Sequence, residues 1–266
     1  MPSRWPRLQL FEFNDLASIH PAARDTLVES LSRALEWGGI LDGLAAPFSR
    51  FLNEAGTREV LDLGSGAGGP ARILASALAR ERRPPARFVR TDLHPRVAAW
   101  SAAREALPDA VDFEPSPVDA TNVPAALGRD RARTLINVFH HFPPDVAAAV
   151  LEDAVRCSRG VFLAESFERE PLRFANFAIP GFAAILANPL LTKRDRFAKA
   201  ALTYLTPAAL GMAAWDGLVS AFRVYEEEEL RAMVAPFGPR FVWTYGTFRY
   251  FPYGKGYFFY GAEPRA

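Results

Sequence analysis

The chain has 266 residues, half of them hydrophobic and 23% charged, with a formal net charge of +1. That length supports one large domain or one domain with an elaboration, and the near-zero charge offers no global argument for nucleic acid or an acidic membrane as partner. A single cysteine, Cys157, excludes an intramolecular disulfide and a cysteine-based zinc site, and with four thinly spread histidines no dedicated metal site is expected.

The opening segment, MPSRWPRLQLFEFND, lacks an apolar run of signal-peptide length and carries acids early, so a cytoplasmic protein is expected. Asp25 to Trp37 places Leu27, Val28, Leu31 and Leu35 on one side at a period near 3.6, and Gly38-Gly39 stops the helix. A second helix is expected over Leu41 to Ala55. Residues 1–56 therefore form a helical preface, which either covers the substrate end of a sheet or simply packs on it.

Glu59 to Ala75, EVLDLGSGAGGPARILA, reads as a strand that ends in a glycine-rich turn and opens a helix. Gly64, Gly66, Gly68 and Gly69 crowd a turn where the backbone takes φ > 0 or approaches a ligand with no Cβ in the way. The following helix points its free N–H groups into that turn, where an anionic or polar group can sit. A dinucleotide pyrophosphate uses this arrangement, and so does a tight strand-to-helix turn with no ligand.

After a helix to about Arg80 and the basic loop RERRPP, Arg87 to Thr91 makes a second strand with Asp92 at its carboxyl end. A carboxylate there can accept both hydrogen bonds of a ribose diol, with Leu93 against a purine face; its other reading is a cap for the next helix. The helix Arg96 to Leu107 leads to a third strand, Asp112 to Glu114. The Asp119-Ala120 pair beyond it suits an exocyclic amine and a ring nitrogen, although Asp119 also reads as an ordinary loop acid. Thr134 to Val138 is a fourth strand, followed by Phe139-His140-His141-Phe142-Pro143-Pro144, a helix from Asp145 to Cys157, and a fifth strand, Gly160 to Ala164, ending at Glu165.

Strands alternating with helices of about ten residues mean βαβ units and a parallel sheet, and ligands of such sheets lie at the carboxyl ends of strands. Asp62, Asp92, Asp119, Asn137 and Glu165 all fall at or just past those ends.

Residues 166–222 form an apolar elaboration. Phe174 to Thr192 holds no charge and approaches the roughly 20 residues that span a bilayer. Pro180-Gly181 and Pro189 are expected to break it, and Asn176 and Asn188 sit inside it, so no integral membrane segment is expected. A buried or lid-like helical segment is expected instead, with interfacial membrane contact as the alternative and a homodimer if the segment is exposed. A helix over Val224 to Val234 and two aromatic strands, Phe241 to Tyr250 and Gly256 to Gly261, close the chain; their short loop makes the strands antiparallel neighbours.

The ordered set Asp62-x-Gly64-Ser65-Gly66-x-Gly68, Asp92, Asp119-Ala120 and Asn137, with the closing antiparallel pair, resembles the class I S-adenosylmethionine-dependent methyltransferases. The resemblance covers residues 57–165 well and 224–262 by pattern. It implies an α/β, Rossmann-like, doubly wound, seven-stranded and mostly parallel sheet with an antiparallel last strand. The core would comprise 57–165 and 223–266, the preface 1–56, and a substrate lid 166–222. It implies S-adenosylmethionine (SAM) as cofactor: the turn Gly64 to Gly68 against its methionine end, Asp62 on its amino group, Asp92 on the ribose hydroxyls, Asp119 and Ala120 on adenine, and Asn137 near the methionine moiety.

Methyl transfer is an in-line displacement in which the protein supplies alignment and water exclusion. An amine or phenol acceptor must still lose a proton, and His140, His141 and Glu165 are the candidates to take it; a purely structural histidine pair is the other reading. The apolar flanks predict an enclosed chamber for a small lipophilic or aromatic acceptor, not a protein or nucleic acid. Trp37, Phe177 and Trp215 are expected in its wall, and Asn14, Asp15, His20 and Asp216 as its polar groups. Methyl transfer to oxygen or nitrogen, in secondary metabolism, is the leading expectation. The alternatives are an NAD(P)-dependent oxidoreductase and a non-catalytic SAM-binding protein.

Overall fold

The computed structural model describes residues 5–16, 18–171 and 174–264. Five parallel strands come first: β1 (Glu59–Leu63), β2 (Arg87–Thr91), β3 (Val111–Phe113), β4 (Ala132–Ile136) and β5 (Gly160–Glu165). Two long strands follow, β6 (Val242–Tyr250) and β7 (Gly254–Ala262). The sheet order is β3-β2-β1-β4-β5-β7-β6, with β7 antiparallel to both β5 and β6. This is the seven-stranded, mostly parallel sheet expected from the sequence. Every residue of β4 and β5 is buried, as central strands covered on both faces require.

The strand order reverses between β1 and β4, which places a crevice at their carboxyl ends. The first crossover is α3 (Gly69–Arg80) and the second α4 (Val97–Ala106); the short α5 (Ala125–Gly128) and then α6 (Pro144–Cys157) complete the parallel part. Phe162 on β5 fixes the core of one face. Its ring lies 5.8 Å from that of Phe258, 5.9 Å from that of Tyr260 and 5.2 Å from that of Phe48.

The preface comprises α1 (Pro21–Trp37) and α2 (Ala45–Ala55). The sequence reading starts α1 at Asp25. The helix begins four residues earlier because Pro21 fits its first turn and the His20 ring caps it, Nδ1 accepting the Ala22 N–H. The expected helix over Leu41 to Ala55 is a 3₁₀ turn, Asp42–Leu44, followed by α2.

The insertion holds α7 (Phe174–Leu191), α8 (Arg196–Ala200), a π-helical turn (Ala201–Leu205) and α9 (Ala208–Arg223). Pro180 and Pro189 do not break α7, contrary to expectation. Each removes one backbone bond, and packing against α1 and α9 holds the helix continuous. Asn188 of α7 donates to Glu29 and Ser30 of α1 at 3.0 and 3.3 Å, and Lys199 reaches Glu29 at 3.0 Å. The last helix, α10, spans Glu227–Val234 rather than starting at Val224. Glu226 and Glu229 form a reciprocal capping box that sets its first turn, leaving Val224 and Tyr225 as the extended link from α9. No helix among the described residues is long and apolar enough to cross a membrane.

Candidate active site

The crevice is built on the turn after β1. Gly64, Gly66 and Gly68 have φ of +66°, +51° and +80°. A Cβ on Gly64 would stand 2.7 Å from Val138 Cγ1, and one on Gly68 would stand 2.6 Å from the Arg90 guanidinium, so space and backbone both demand glycine. Asp62 sits beneath the turn. Its carboxylate accepts from Ser65 Oγ at 2.6 Å and Thr134 Oγ1 at 2.8 Å. Burial raises its pKa, opposed by those two bonds. Each oxygen thus accepts one bond, from the turn and from β4, and keeps a second lone pair for the amino group that the resemblance assigns to Asp62.

Asp92 does face the turn. Its Oδ2 accepts the Gly66 N–H at 2.9 Å and its Oδ1 the His94 N–H at 2.8 Å. Trp100 Nε1 holds the Gly66 carbonyl at 2.9 Å from the other side. The loop after β3 runs alongside, with Val118 N donating to Asp92 O at 2.9 Å. Next to it Asp119 is exposed, and its Oδ1 accepts both the N–H and the hydroxyl of Thr121. Those two bonds make a local Asx-type turn. Ala120 is half-buried beside it, and Leu93 is exposed. The ends of β1, β2 and β3 thus meet at one place.

Asn137, just past β4, takes φ +55° and is buried. Its Oδ1 accepts the Ser166 N–H at 2.7 Å, while its Nδ2 is buried with no partner and the residue lines a cavity. The space open to the centre of a water-sized sphere there is about 120 Å³, several times the roughly 10–15 Å³ that one water needs. α1 contributes Leu27, Val28 and Leu31, α7 contributes Phe177, Gly181 and Ile185, and α9 contributes Asp216 and Ser220.

One end of this chamber is polar and charged. The buried Glu165 holds His140 twice, Oε1 accepting its backbone N–H at 3.1 Å and Oε2 lying 2.8 Å from its Nδ1. The carboxylate fixes the proton on Nδ1 and leaves the lone pair on Nε2. The His140 and His141 rings are 4.2 Å apart. His141 Nδ1 lies 3.0 Å from Asp15 and 3.6 Å from the buried Glu12. Burial works against a charge on His141, but the Asp15 bond and the field of Glu12 outweigh it and raise its pKa. Asp15 is conversely brought down to about 2 by His141 and Arg223, against its own burial.

Glu12, His140 and His141 present ligand atoms within 4.8 Å of one another, a spacing that suits a divalent ion. A cation already stands there, however: Arg223 Nη1 lies 3.1 Å from Glu12, 2.7 Å from Asp15 and 3.3 Å from His141 Nδ1. Asp216 closes the set, its oxygens accepting the N–H groups of Phe13 and Asn14 at 2.6 and 3.1 Å. Burial pushes its pKa up to about 6 despite those two bonds.

The chamber therefore gathers Asn14, Phe177 and Asp216 from the residues expected to meet a substrate, together with His140, His141 and Asn137. Glu165 and Asp15 stand behind the histidines. Three expected wall or orienting residues lie elsewhere. His20 is exposed and caps α1. Trp37 is exposed at the far end of that helix. Trp215 donates Nε1 to Phe11 O at 3.0 Å and lies against the Phe11 ring, off the lining. Sequence reasoning missed Glu12, Ser220 and Arg223. The available signal was an acid between two phenylalanines, Phe11 and Phe13, which points to an apolar surround.

No protein-family model matches the sequence, and no curated protein matches it. Solved structures do match in fold. One is the O-methyltransferase NcsB1 from neocarzinostatin biosynthesis, in complex with S-adenosyl-L-homocysteine and 1,4-dihydroxy-2-naphthoic acid: 15% identity, TM-score 0.52, covering 91% of this chain and 59% of that one. Another is the pyocyanin biosynthetic protein PhzM: 13% identity, TM-score 0.51, covering 86% of this chain and 56% of that one. The chain thus spans less than two thirds of either protein's length. Together with the strand order, these likenesses show the class I S-adenosylmethionine-dependent methyltransferase fold.

Proposed function

We propose that this chain transfers a methyl group from SAM to an oxygen or nitrogen of a small, largely apolar or aromatic acceptor. The carrying observation is the bond from Gly66 N–H to Asp92 at the switch point, beside an apolar chamber that ends in a histidine–carboxylate pair. The cofactor reading rests on three local features: a turn whose positive φ angles call for glycine at 64, 66 and 68, a carboxylate at the end of β2, and the unpartnered buried amide of Asn137. Asp92 would hold the ribose hydroxyls, and Asn137 would lie by the methionine end. NcsB1's pairing of S-adenosyl-L-homocysteine with a naphthoic acid supports an aromatic acceptor.

When bound, SAM supplies an electrophilic methyl on a sulfonium. The protein's part is to orient the acceptor, exclude water and take a proton. The walls from α1, α7 and α9 enclose the acceptor. His140 Nε2 takes the acceptor's proton, and Glu165 stabilises the imidazolium through Nδ1. The alternative of an NAD(P)-dependent oxidoreductase is disfavoured because β7 lies between β5 and β6, unlike the 3-2-1-4-5-6 order of dinucleotide enzymes.

Calorimetry with S-adenosyl-L-homocysteine tests the reading. The wild type is expected to bind and Asp92→Ala to bind about 10- to 100-fold more weakly, as loss of charge-assisted hydrogen bonds implies. A wild type that does not bind overturns it.

A further inference from the structure

The chamber wall has an outer side. Between Phe174 and Leu191, α7 carries no charge, and a helix apolar all round is ordinarily covered all round. Its inner side packs on α1 and α9. Its outer side carries Ile179, Phe182, Leu186 and Leu190, three or four residues apart and 63%, 40%, 47% and 66% exposed. Spacings of that kind stack them on one face.

The apolar surface continues past the helix end. Leu191 at that end is exposed, then Lys193 and Arg194 in the turn, then Arg196 and Phe197 opening α8, Phe197 at 90%, and then Leu205 at 83%. Tyr204 donates to the Leu186 carbonyl at 2.6 Å, which seats the Leu205 segment beside the middle of α7. The result is one apolar strip with a basic fringe at one end.

We propose that this face docks the protein on an anionic lipid bilayer, with α7 lying in the plane of the interface. A second copy is the rival occupant. Two copies about a twofold axis would present the same patch to itself. That patch has three exposed cations and one acid, Asp195, which already lies 3.6 Å from Arg194. Self-pairing would offer those cations no acidic counterpart, whereas anionic headgroups do. Lys199 takes no part, being buried against Glu29. Phe197 and Leu205 project furthest into solvent and suit insertion at the acyl boundary. Phe182 belongs both to the exposed strip and to the chamber lining, so the docked wall is one side chain thick. A lipophilic acceptor dissolved in the bilayer would enter there. That route rests on the methyl-transfer reading, whereas docking itself does not.

The test is co-sedimentation of the full chain with vesicles of phosphatidylcholine alone and of phosphatidylcholine with 30% phosphatidylserine, without cofactor. Binding is expected to the anionic vesicles and to fall steeply with added salt. Phe197→Ser/Leu205→Ser and Lys193→Glu/Arg194→Glu are each expected to weaken it at least about tenfold, with unchanged thermal unfolding because these side chains are exposed. Absence of binding to anionic vesicles overturns the proposal, and so does binding that both variants leave intact. A dimer in light scattering that Leu186→Ser/Leu190→Ser dissolves, with vesicles unbound, overturns it in favour of contact between copies. Binding of S-adenosyl-L-homocysteine, measured separately, leaves these outcomes unaffected, so the two readings fail independently.

Discussion

Glu165 grips His140 at two atoms, the backbone N–H at 3.1 Å and ring Nδ1 at 2.8 Å. One carboxylate therefore sets both where the ring sits and which nitrogen is free to accept a proton. His140→Gln is expected to lower methylation of phenol or aromatic amine acceptors by about 10²- to 10⁴-fold, the range for loss of a general base, with S-adenosyl-L-homocysteine affinity unchanged. A variant within a few-fold of wild type would remove His140 from that role.

Asp216 and His141 make stability depend on pH in two separate windows. The Asp216 carboxyl rises from 3.8 to about 6 in the folded state, so folding favours its protonated form. Its contribution is retained below the unfolded value and lost as pH climbs through about 6. Thermal unfolding of wild type and Asp216→Asn should show wild type losing ground to the variant between pH 4 and pH 7. A constant difference would contradict the assignment. His141 is raised above 6.5, so its stabilising charge is lost only above that value, as pH rises through its folded pKa.

Gly181 lines the chamber, and a Cβ added there meets nothing within 4 Å. Gly181→Phe should therefore fold normally and occupy space meant for the acceptor. The expected result is an acceptor KM about 10- to 200-fold higher, the range for a misfitting apolar group, with cofactor binding intact. Unchanged KM in a folded variant would place the acceptor elsewhere.

Gly68 combines φ +80° with a buried guanidinium 2.6 Å from where a Cβ would be. Gly68→Ala should cost about 1–3 kcal/mol of stability. Differential scanning calorimetry would show this as a fall in Tm of several degrees. A Tm equal to that of wild type would mean that Arg90 yields without cost.

The sheet was legible because apolar strand runs, glycines and chain-end acids recur at βαβ spacing. That spacing put Asp92 at the carboxyl end of β2 and Gly66 in the turn after β1; the bond between them came from the structure. Elsewhere, partners far apart in sequence decided the outcome. The tie from Thr134 to Asp62, 72 residues apart, has no signal in the sequence. Glu12 becomes a site residue because the fold brings His140 and His141 to it and Arg223, from the end of α9, reaches back to it. Pro180 and Pro189 read as breaks because their cost is local, whereas the packing on α1 that offsets it is not. His20 and Trp37 were placed by residue type, and the direction of α1 put them at its ends.

β7 follows every other strand in the chain, yet it is seated inside the sheet, bonded on one side to β5 and on the other to β6. A nascent chain that has not passed residue 254 leaves β5, buried along its whole length in the finished sheet, as a raw margin free to pair with a stranger. The sheet therefore closes only once Ala262 has been made, and a chain cut at residue 254 would be left with that margin bare and prone to aggregate.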